Sequence, residues 1–377
     1  MSLAAMDVGG RVERLRERLS GAGCDALLVT NLTNVAYLSG FSGSAGLLLV
    51  LADELVLVTD GRYRDQAGEQ LAAAQVDARV EIGNLTRQRQ ALGAATAPVP
   101  RLGLEATDVT WARQRTFAEE WFPAVELVAT EGVVEGLRQV KDAGELARMA
   151  AAASIADRAL DGVKAGLAEG LTEQDVALAL DVEMRRLGAA GSAFATIVAS
   201  GPNGARPHAS PSPRPIGEGE LIVIDFGAVV DGYRSDMTRT LCVGEPATST
   251  LARMFEVVTE AQRAGVDAVG AGRPAAEVDR ACREVIAGAG WAEAFVHGTG
   301  HGVGLDIHEA PAVAATSGDT LAAGHVVTVE PGVYLPGHGG VRIEDTVVVT
   351  DGGCQPLTLS SKALSPDQGS PREGRVS

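Results

Sequence analysis

Leu221-Ile222-Val223-Ile224-Asp225-Phe226-Gly227-Ala228-Val229-Val230-Asp231-Gly232-Tyr233-Arg234-Ser235-Asp236-Met237-Thr238-Arg239-Thr240 reads as two strands around an Asp231-Gly232 turn. A two-residue loop pairs Val230 with Tyr233. Counting back sets Asp225 opposite Thr238. Opposite residues share a face, as do residues two apart, so Asp236 falls on the face of Asp225, one diagonal step away. Diagonal neighbours lie roughly 7–8 Å apart at the backbone, which leaves room for a cation between two carboxylates. A carboxylate inside an apolar strand is costly unless paired or coordinated, and two on one face repel. Two readings stay open on this hairpin alone. Each Asp meets an arginine or a backbone N–H, or both hold a divalent metal.

The chain has 377 residues, enough for two domains. It is 46% hydrophobic and 21% charged, which fits a soluble globular protein. The apolar runs are too short to span a bilayer, and no secretory signal is visible. A net charge of -17 argues against a nucleic-acid partner, and part of the acid excess suits a cation-binding role. Cys24, Cys242, Cys282 and Cys354 stand far apart with no CxxC. They read as reduced thiols of a cytoplasmic protein.

Outward from the hairpin, the order of elements predicts two domains. Residues 1–130 alternate helix and strand. A helix is expected over 10–24, strands at 26–29, 47–51 and 55–58, and helices at 62–74 and near 84–95. Asn31 to Gly46 reads as a long loop, and Asp60-Gly61-Arg62-Tyr63 follows a strand directly. Both are turn chemistry or a wall of a substrate pocket. Residues 131–144 form a charged connection into a second domain, 131–364. There Asp142 and Glu145 have capping-box spacing at the start of one helix, and Thr172 opens another that Gly188 ends. A strand at 194–199, a Pro/Gly-rich loop at 201–215 and the hairpin follow. The pattern then repeats. Helices open near Leu251 and Pro274, a strand is expected near 294–297, and a final hairpin pairs 325–330 with 341–349. Asp225 and Glu330 stand 105 residues apart, Asp236 and Glu344 108, and His208 and His308 100. This internal repeat predicts two halves about a pseudo-twofold axis, each giving two carboxylates to one centre. Residues 365–377 read as an unstructured polar tail.

In the second hairpin Glu330 and Glu344 fall nearly opposite on one face. Four carboxylates on facing hairpins match what two hard divalent cations require. Between the halves lies His297-Gly298-Thr299-Gly300-His301-Gly302-Val303-Gly304-Leu305-Asp306-Ile307-His308. The glycines rule out a regular helix, so His297 and His301 are not a helical zinc pair. A Gly-rich loop brings an imidazole near a metal, so one histidine ligand is expected. His208, in Arg206-Pro207-His208, gains a site role through its repeat partner His308. His325 and His338 read as structural or exposed.

These pieces resemble the pita-bread metallopeptidases, the family of aminopeptidase P, prolidase, methionine aminopeptidase and the non-metal creatinase. The resemblance rests on Ile224-Asp225-Phe226-Gly227, Ser235-Asp236-Met237-Thr238-Arg239-Thr240, His297-Gly298-Thr299-Gly300-His301-Gly302, Val329-Glu330-Pro331-Gly332 and Arg342-Ile343-Glu344-Asp345. It covers nearly the whole chain. It implies a creatinase-like α/β domain followed by a pita-bread α+β domain. It implies the ligand set Asp225, Asp236, His301, Glu330 and Glu344, with Asp236 and Glu344 bridging two ions. Manganese is the usual metal of this branch, with cobalt and zinc in relatives, and a homodimer is the family's assembly. Methionine aminopeptidases usually lack the first domain and creatinase lacks the full ligand set, which leaves the proline-directed peptidases. Phe194-Ala195-Thr196-Ile197-Val198-Ala199-Ser200-Gly201 with Pro207-His208 is similar to both remaining branches. Gly40-Phe41-Ser42-Gly43-Ser44-Ala45-Gly46, Asp60-Gly61-Arg62-Tyr63 and Val140-Lys141-Asp142 are similar to small prokaryotic aminopeptidase P.

The expected activity is therefore hydrolysis of an N-terminal X-Pro bond by a metal-bridging hydroxide. Glu330 would shuttle the proton, and His297 or His308 would stabilise the oxyanion. His208 would line the proline side, and Arg342 would orient carboxylates. An X-Pro dipeptidase is the alternative, and it needs a cation to block the C-terminal side. Arg62 is a candidate for that cation only if it reaches the site, from a partner subunit. A creatinase-like amidohydrolase and a non-catalytic binding module complete the set.

Overall fold

The computed structural model describes residues 3–365, so all of the expected polar tail except residue 365 lies outside the described residues. The chain divides into two compact units, 4–138 and 139 onward. Residues 131–138 belong with the first unit, although the sequence reading placed them in the second domain. Arg138 Nη1 donates to Asn34 Oδ1 at 2.8 Å, and Asn34 Nδ2 donates to Glu135 Oε1 at 2.6 Å. These bonds tie the short helix Glu135–Arg138 back to the first unit.

The first unit is a six-stranded mixed sheet. Its order is Arg79–Ile82, Leu55–Thr59, Leu47–Val50, Ala26–Val29, Arg101–Glu105, Glu126–Thr130. Only Leu47–Val50 runs antiparallel to its neighbours. Ala26, Leu28, Leu49, Val56 and Leu102 pack under Leu92, Phe117 and Phe122. Part of the expected loop over Asn31–Gly46 is instead a helix, Leu32–Ser39. Asn31 caps it by accepting from the N–H groups of Thr33 and Asn34, and Gly40 ends it with φ +76°.

The second unit carries the repeat. Helix Ala143–Lys164 opens with a complete capping box from Asp142 and Glu145, and Glu173–Arg186 opens with a second one from Thr172 and Asp175. They pack over the sheet Met237–Cys242, Leu221–Phe226, Ile197–Ser200. In the other half, helices Ser249–Ala268 and Ala275–Gly288 pack over a five-stranded sheet. Its order is Glu309–Val313, Gly300–Gly302, Val326–Val329, Asp345–Thr350, Gly353–Pro356. Each half packs its two helices over its own sheet around an apolar cluster.

One expected strand is absent. Residues 294–297 do not pair; the only regular element there is the short turn Ala292–Ala294. Arg283 takes the Phe295 carbonyl at 3.0 Å and the His297 carbonyl as well, so a side chain satisfies groups that a strand would pair. Among the described residues no helix is long and apolar enough to cross a membrane.

Candidate metal centre

The first hairpin has the register read from its turn. Val230 pairs with Tyr233, and Asp225 with Thr238. Asp231 and Gly232 both take positive φ, 49° and 86°, as a primed two-residue turn requires. The ladder is interrupted at Gly227 and Ser235, where a Cβ on Gly227 would collide with the Ser235 carbonyl. Asp236 sits at this interruption. The second hairpin breaks in the same way. Val329 pairs with Asp345 and Gly332 with Arg342, so continuing the register sets Glu330 opposite Glu344 in the gap. Asp236 in one half and Glu330 and Glu344 in the other sit where one ladder hands over to the next.

The two halves bring these acids together. Asp225, Asp236 and Glu344 each offer an oxygen, and the three lie within 4.8 Å of one another. His301, on strand Gly300–Gly302, places Nε2 3.4 Å from Glu330 Oε1 and 3.7 Å from Asp236 Oδ2. Thr238 Oγ1 donates to Glu344 Oε2 at 2.7 Å, and Thr328 Oγ1 to Glu330 Oε1 at 3.2 Å. Buried Arg239 donates to the Glu344 carbonyl and pairs with Asp345 at 2.9 Å, which fixes the strand that carries Glu344.

Electrostatics decide whether these groups can satisfy one another. Burial and the neighbouring Glu344, Asp225 and Glu330 push Asp236 well above the carboxylate range. Burial and the charges of Glu330 and Asp225 do the same to Glu344. Glu330 is pushed up to about 8, chiefly by burial. His301 is pushed down to about 4 by burial, so its imidazole is neutral at pH 7. Its Nδ1 lies 3.0 Å from the Gly302 carbonyl, and a carbonyl can only accept. The proton is therefore on Nδ1, and the Nε2 lone pair faces two carboxylates. Asp225 Oδ1 and Glu344 Oε1 are buried with no hydrogen-bond partner. Orphaned carboxylate oxygens and an imidazole lone pair converging on one point are the donor set of a divalent cation. The residues present fit a divalent cation.

Arg342 answers the other reading for Asp225. Its Nη2 donates to Asp225 Oδ2 at 2.6 Å, across the two halves. Yet Asp225 keeps Oδ1 unpartnered, so arginine pairing and a ligand role coexist. The rest of the guanidinium is committed too. Nη1 donates to the Pro207 carbonyl at 3.1 Å and to the Tyr334 hydroxyl at 2.8 Å, and Nε to Thr238 Oγ1 at 3.2 Å.

Tyr334 is a site residue that sequence reasoning missed. Its hydroxyl lies 2.8 Å from His297 Nε2. His297 Nδ1 lies 2.7 Å from the Gly298 carbonyl, so Nδ1 carries the proton and Nε2 accepts from Tyr334. Burial pushes His297 down to about 4. Both of its nitrogens are thus occupied within the protein. His308 is exposed and stacks edge-on against His301, with ring centroids 4.4 Å apart. No motif or periodicity in the sequence points to Tyr334.

The acids, His301, His297, His308, His208 and Arg342 line one cavity of about 430 Å³, with Phe194, Ile197 and Ile307 on its apolar wall. His325 is buried away from it, and His338 is exposed. A two-domain chain with paired hairpins around such a centre can be compared with known proteins. Residues 147–351 match the model of metallopeptidase family M24, and residues 11–140 match the creatinase/prolidase N-terminal domain. The chain belongs to metallopeptidase family M24. An uncharacterized peptidase of Bacillus subtilis is 39% identical over 94% of this chain and 99% of its own length. The solved Xaa-Pro dipeptidase from Bacillus anthracis is 38% identical with a TM-score of 0.91, covering 95% of this chain and 99% of that one. The solved X-Pro aminopeptidase from Thermotoga maritima is 34% identical with a TM-score of 0.85, covering 94% and 99%. The M24 chain thus has the two-domain pita-bread fold, and its class is hydrolase.

Proposed function

We propose that this M24 chain is a dinuclear Xaa-Pro aminopeptidase that cleaves the N-terminal X-Pro bond of peptides longer than two residues. Asp225, Asp236, His301, Glu330 and Glu344 would hold two divalent ions, with Asp236 and Glu344 shared between them. Manganese is the first expectation, with cobalt and zinc as substitutes. When bound, such a pair lowers the pKa of water and polarises a carbonyl. The residues supply the rest. Glu330 holds and passes a proton at Oε2, the oxygen that Thr328 does not occupy. His308 donates to the developing oxyanion, since both nitrogens of His297 are already engaged. Arg342 keeps Asp225 in place. His208, with Phe194 and Ile197, lines the proline side. An X-Pro bond has no N–H on the proline nitrogen, so a site built on metal, acids and an apolar wall suits it better than one that grips an amide.

One observation favours aminopeptidase over dipeptidase. Among the described residues that line the cavity, Arg342 is the only Lys or Arg, and its guanidinium is spent on Asp225, Thr238, Tyr334 and Pro207. Within a single chain no Lys or Arg is left there for the free carboxylate of an X-Pro dipeptide. The dipeptidase reading is supported by the likeness to several proteins named Xaa-Pro dipeptidase or prolidase, among them those of Bacillus anthracis and Pyrococcus furiosus. A panel of X-Pro, X-Pro-Y and longer peptides, with manganese and with chelator, separates the two. Cleavage of X-Pro-Y and longer peptides, abolished by chelator, is expected. Activity on X-Pro dipeptides alone would move the assignment to dipeptidase. Activity that survives complete chelation would favour a creatinase-like reaction. A cytoplasmic homodimer goes with this reading; the four free thiols suit that compartment.

A further inference from the structure

Away from the metal centre, the second unit buries another carboxylate that pairs with no cation among the described residues. Glu173, the first residue of helix Glu173–Arg186, is fully buried. Its Oε1 accepts from Ser200 N at 2.7 Å, Ser200 Oγ at 2.9 Å and Asn203 Nδ2 at 3.1 Å. Its Oε2 accepts from Ser212 N at 3.0 Å, Ser212 Oγ at 2.6 Å and Asn203 Nδ2 at 3.1 Å. Burial works to raise this carboxyl, yet the bonds from Ser212, Ser200 and Asn203 outweigh it and hold it below the usual range. Thr172 and Asp175 already cap this helix, and none of the bonds to Glu173 comes from the helix's own N–H groups. The extra bonds have another object.

That object is the segment between Ser200 and Ser212. Both of its ends are fastened to the same carboxylate. In between it carries the Pro207 carbonyl, which accepts from Arg342, and His208 at the cavity. Its Gly204 packs so closely on Gly340 that a Cβ on either glycine would press on the other's backbone. Residues 201–211 are thus clamped at both ends and braced in the middle. The other half repeats the device. Buried Asp279 accepts from Thr299 N and Thr299 Oγ1, both at 3.0 Å, just before His301. There Arg283 also pairs with the carboxylate at 2.6 Å, whereas the bonds to Glu173 all come from its loop.

We propose that Glu173 is a positioning residue for X-Pro recognition: by clamping Ser200, Asn203 and Ser212 it sets the loop that holds His208 against the proline side of the substrate. This inference rests on the role given to His208 above. It predicts a defect in substrate binding and none in the metal centre, because Glu173 bonds to no residue of the ligand set. An amide at this position would turn an N–H toward donors that have no acceptor left.

The test is a double-mutant cycle on X-Pro-Y hydrolysis with E173Q, H208A and both together, each loaded with manganese. In E173Q, KM should rise about tenfold, the scale of one lost charge-assisted contact. Its kcat should stay within about twofold and its manganese content should equal that of the parent protein. H208A should raise KM similarly, and the double variant should be no worse than H208A. Ser212→Ala, which removes one hydroxyl and keeps the carboxylate, should give a smaller shift of the same kind, and it stands in if E173Q does not fold. A raised KM in H208A beside a normal KM in E173Q and Ser212→Ala would overturn the role of Glu173 alone. So would a double variant whose defect is the product of the two single defects. A normal KM in H208A would overturn the reading of His208 and this inference with it.

Discussion

Stripping the metal and raising the pH should destabilise the catalytic unit, and the size can be worked out. Glu330 has its folded-state value pushed up to about 8, from an ordinary 4.5. A carboxyl raised on folding contributes stability below its unfolded value and loses it as pH climbs through the folded one. Asp236 and Glu344 are displaced in the same direction. The buried imidazoles His297 and His301, pushed down to about 4, act only below the ordinary value of 6.5, and the thiols of Cys242 and Cys282 act only above 9.0. The clean window is therefore pH 6.5 to 8.5. About one and a half pH units of it lie below the folded value of Glu330, at about 1.4 kcal/mol each, so one group costs about 2 kcal/mol. For a folding unit of this size that is a fall in Tm of about 4–8 °C. The assay is calorimetry of chelator-treated protein at several pH values in this window. With saturating manganese the increment in Tm should grow with pH, because metal and protons compete for the same oxygens. A chelated Tm that stays level or rises across the window would refute the reasoning.

Glu330→Gln should retain part of its manganese yet lose at least about a hundredfold in kcat, read by turnover beside metal analysis. Arg342→Met leaves Asp225 without its arginine and should cost about 3–5 kcal/mol in urea unfolding, the range for breaking a buried ion pair. Asp142→Ala removes a capping box and should cost about 1 kcal/mol by the same method, without changing kcat or KM. Gly340→Ala drives a methyl into the Gly204 carbonyl and should cost about 1–3 kcal/mol.

What the sequence disclosed was mostly local. An Asp-Gly turn plus period-2 parity was enough to set Asp225 opposite Thr238, because register propagates from a two-residue loop without further information. The capping boxes at Asp142 and Thr172 were only partly so: the first spacing was readable, while the second uses Asp175, which a Glu/Gln rule does not flag. The failures are tertiary. Residues 294–297 have strand-like composition, but Arg283 satisfies their carbonyls. The polar run after Asn31 resembles a loop because Asn, Thr, Ser and Gly suit caps as well as turns. Tyr334 and Glu173 act through partners that no periodicity identifies, whereas an arginine partner for Asp225 was among the readings, and Arg342, 117 residues away in sequence, supplies it. A buried acid at a helix start looks the same whether it caps that helix or clamps a distant loop.

The central claim is that Asp225, Asp236 and Glu344 are tolerable together because divalent ions lie among them. Equilibrium dialysis against manganese at pH 7.5 tests it most directly, with the parent chain beside one in which these three residues are changed to the corresponding amides. Two ions per chain in the parent and a clear loss in the triple variant are predicted. No bound manganese in the parent, or equal binding by both proteins, would contradict it.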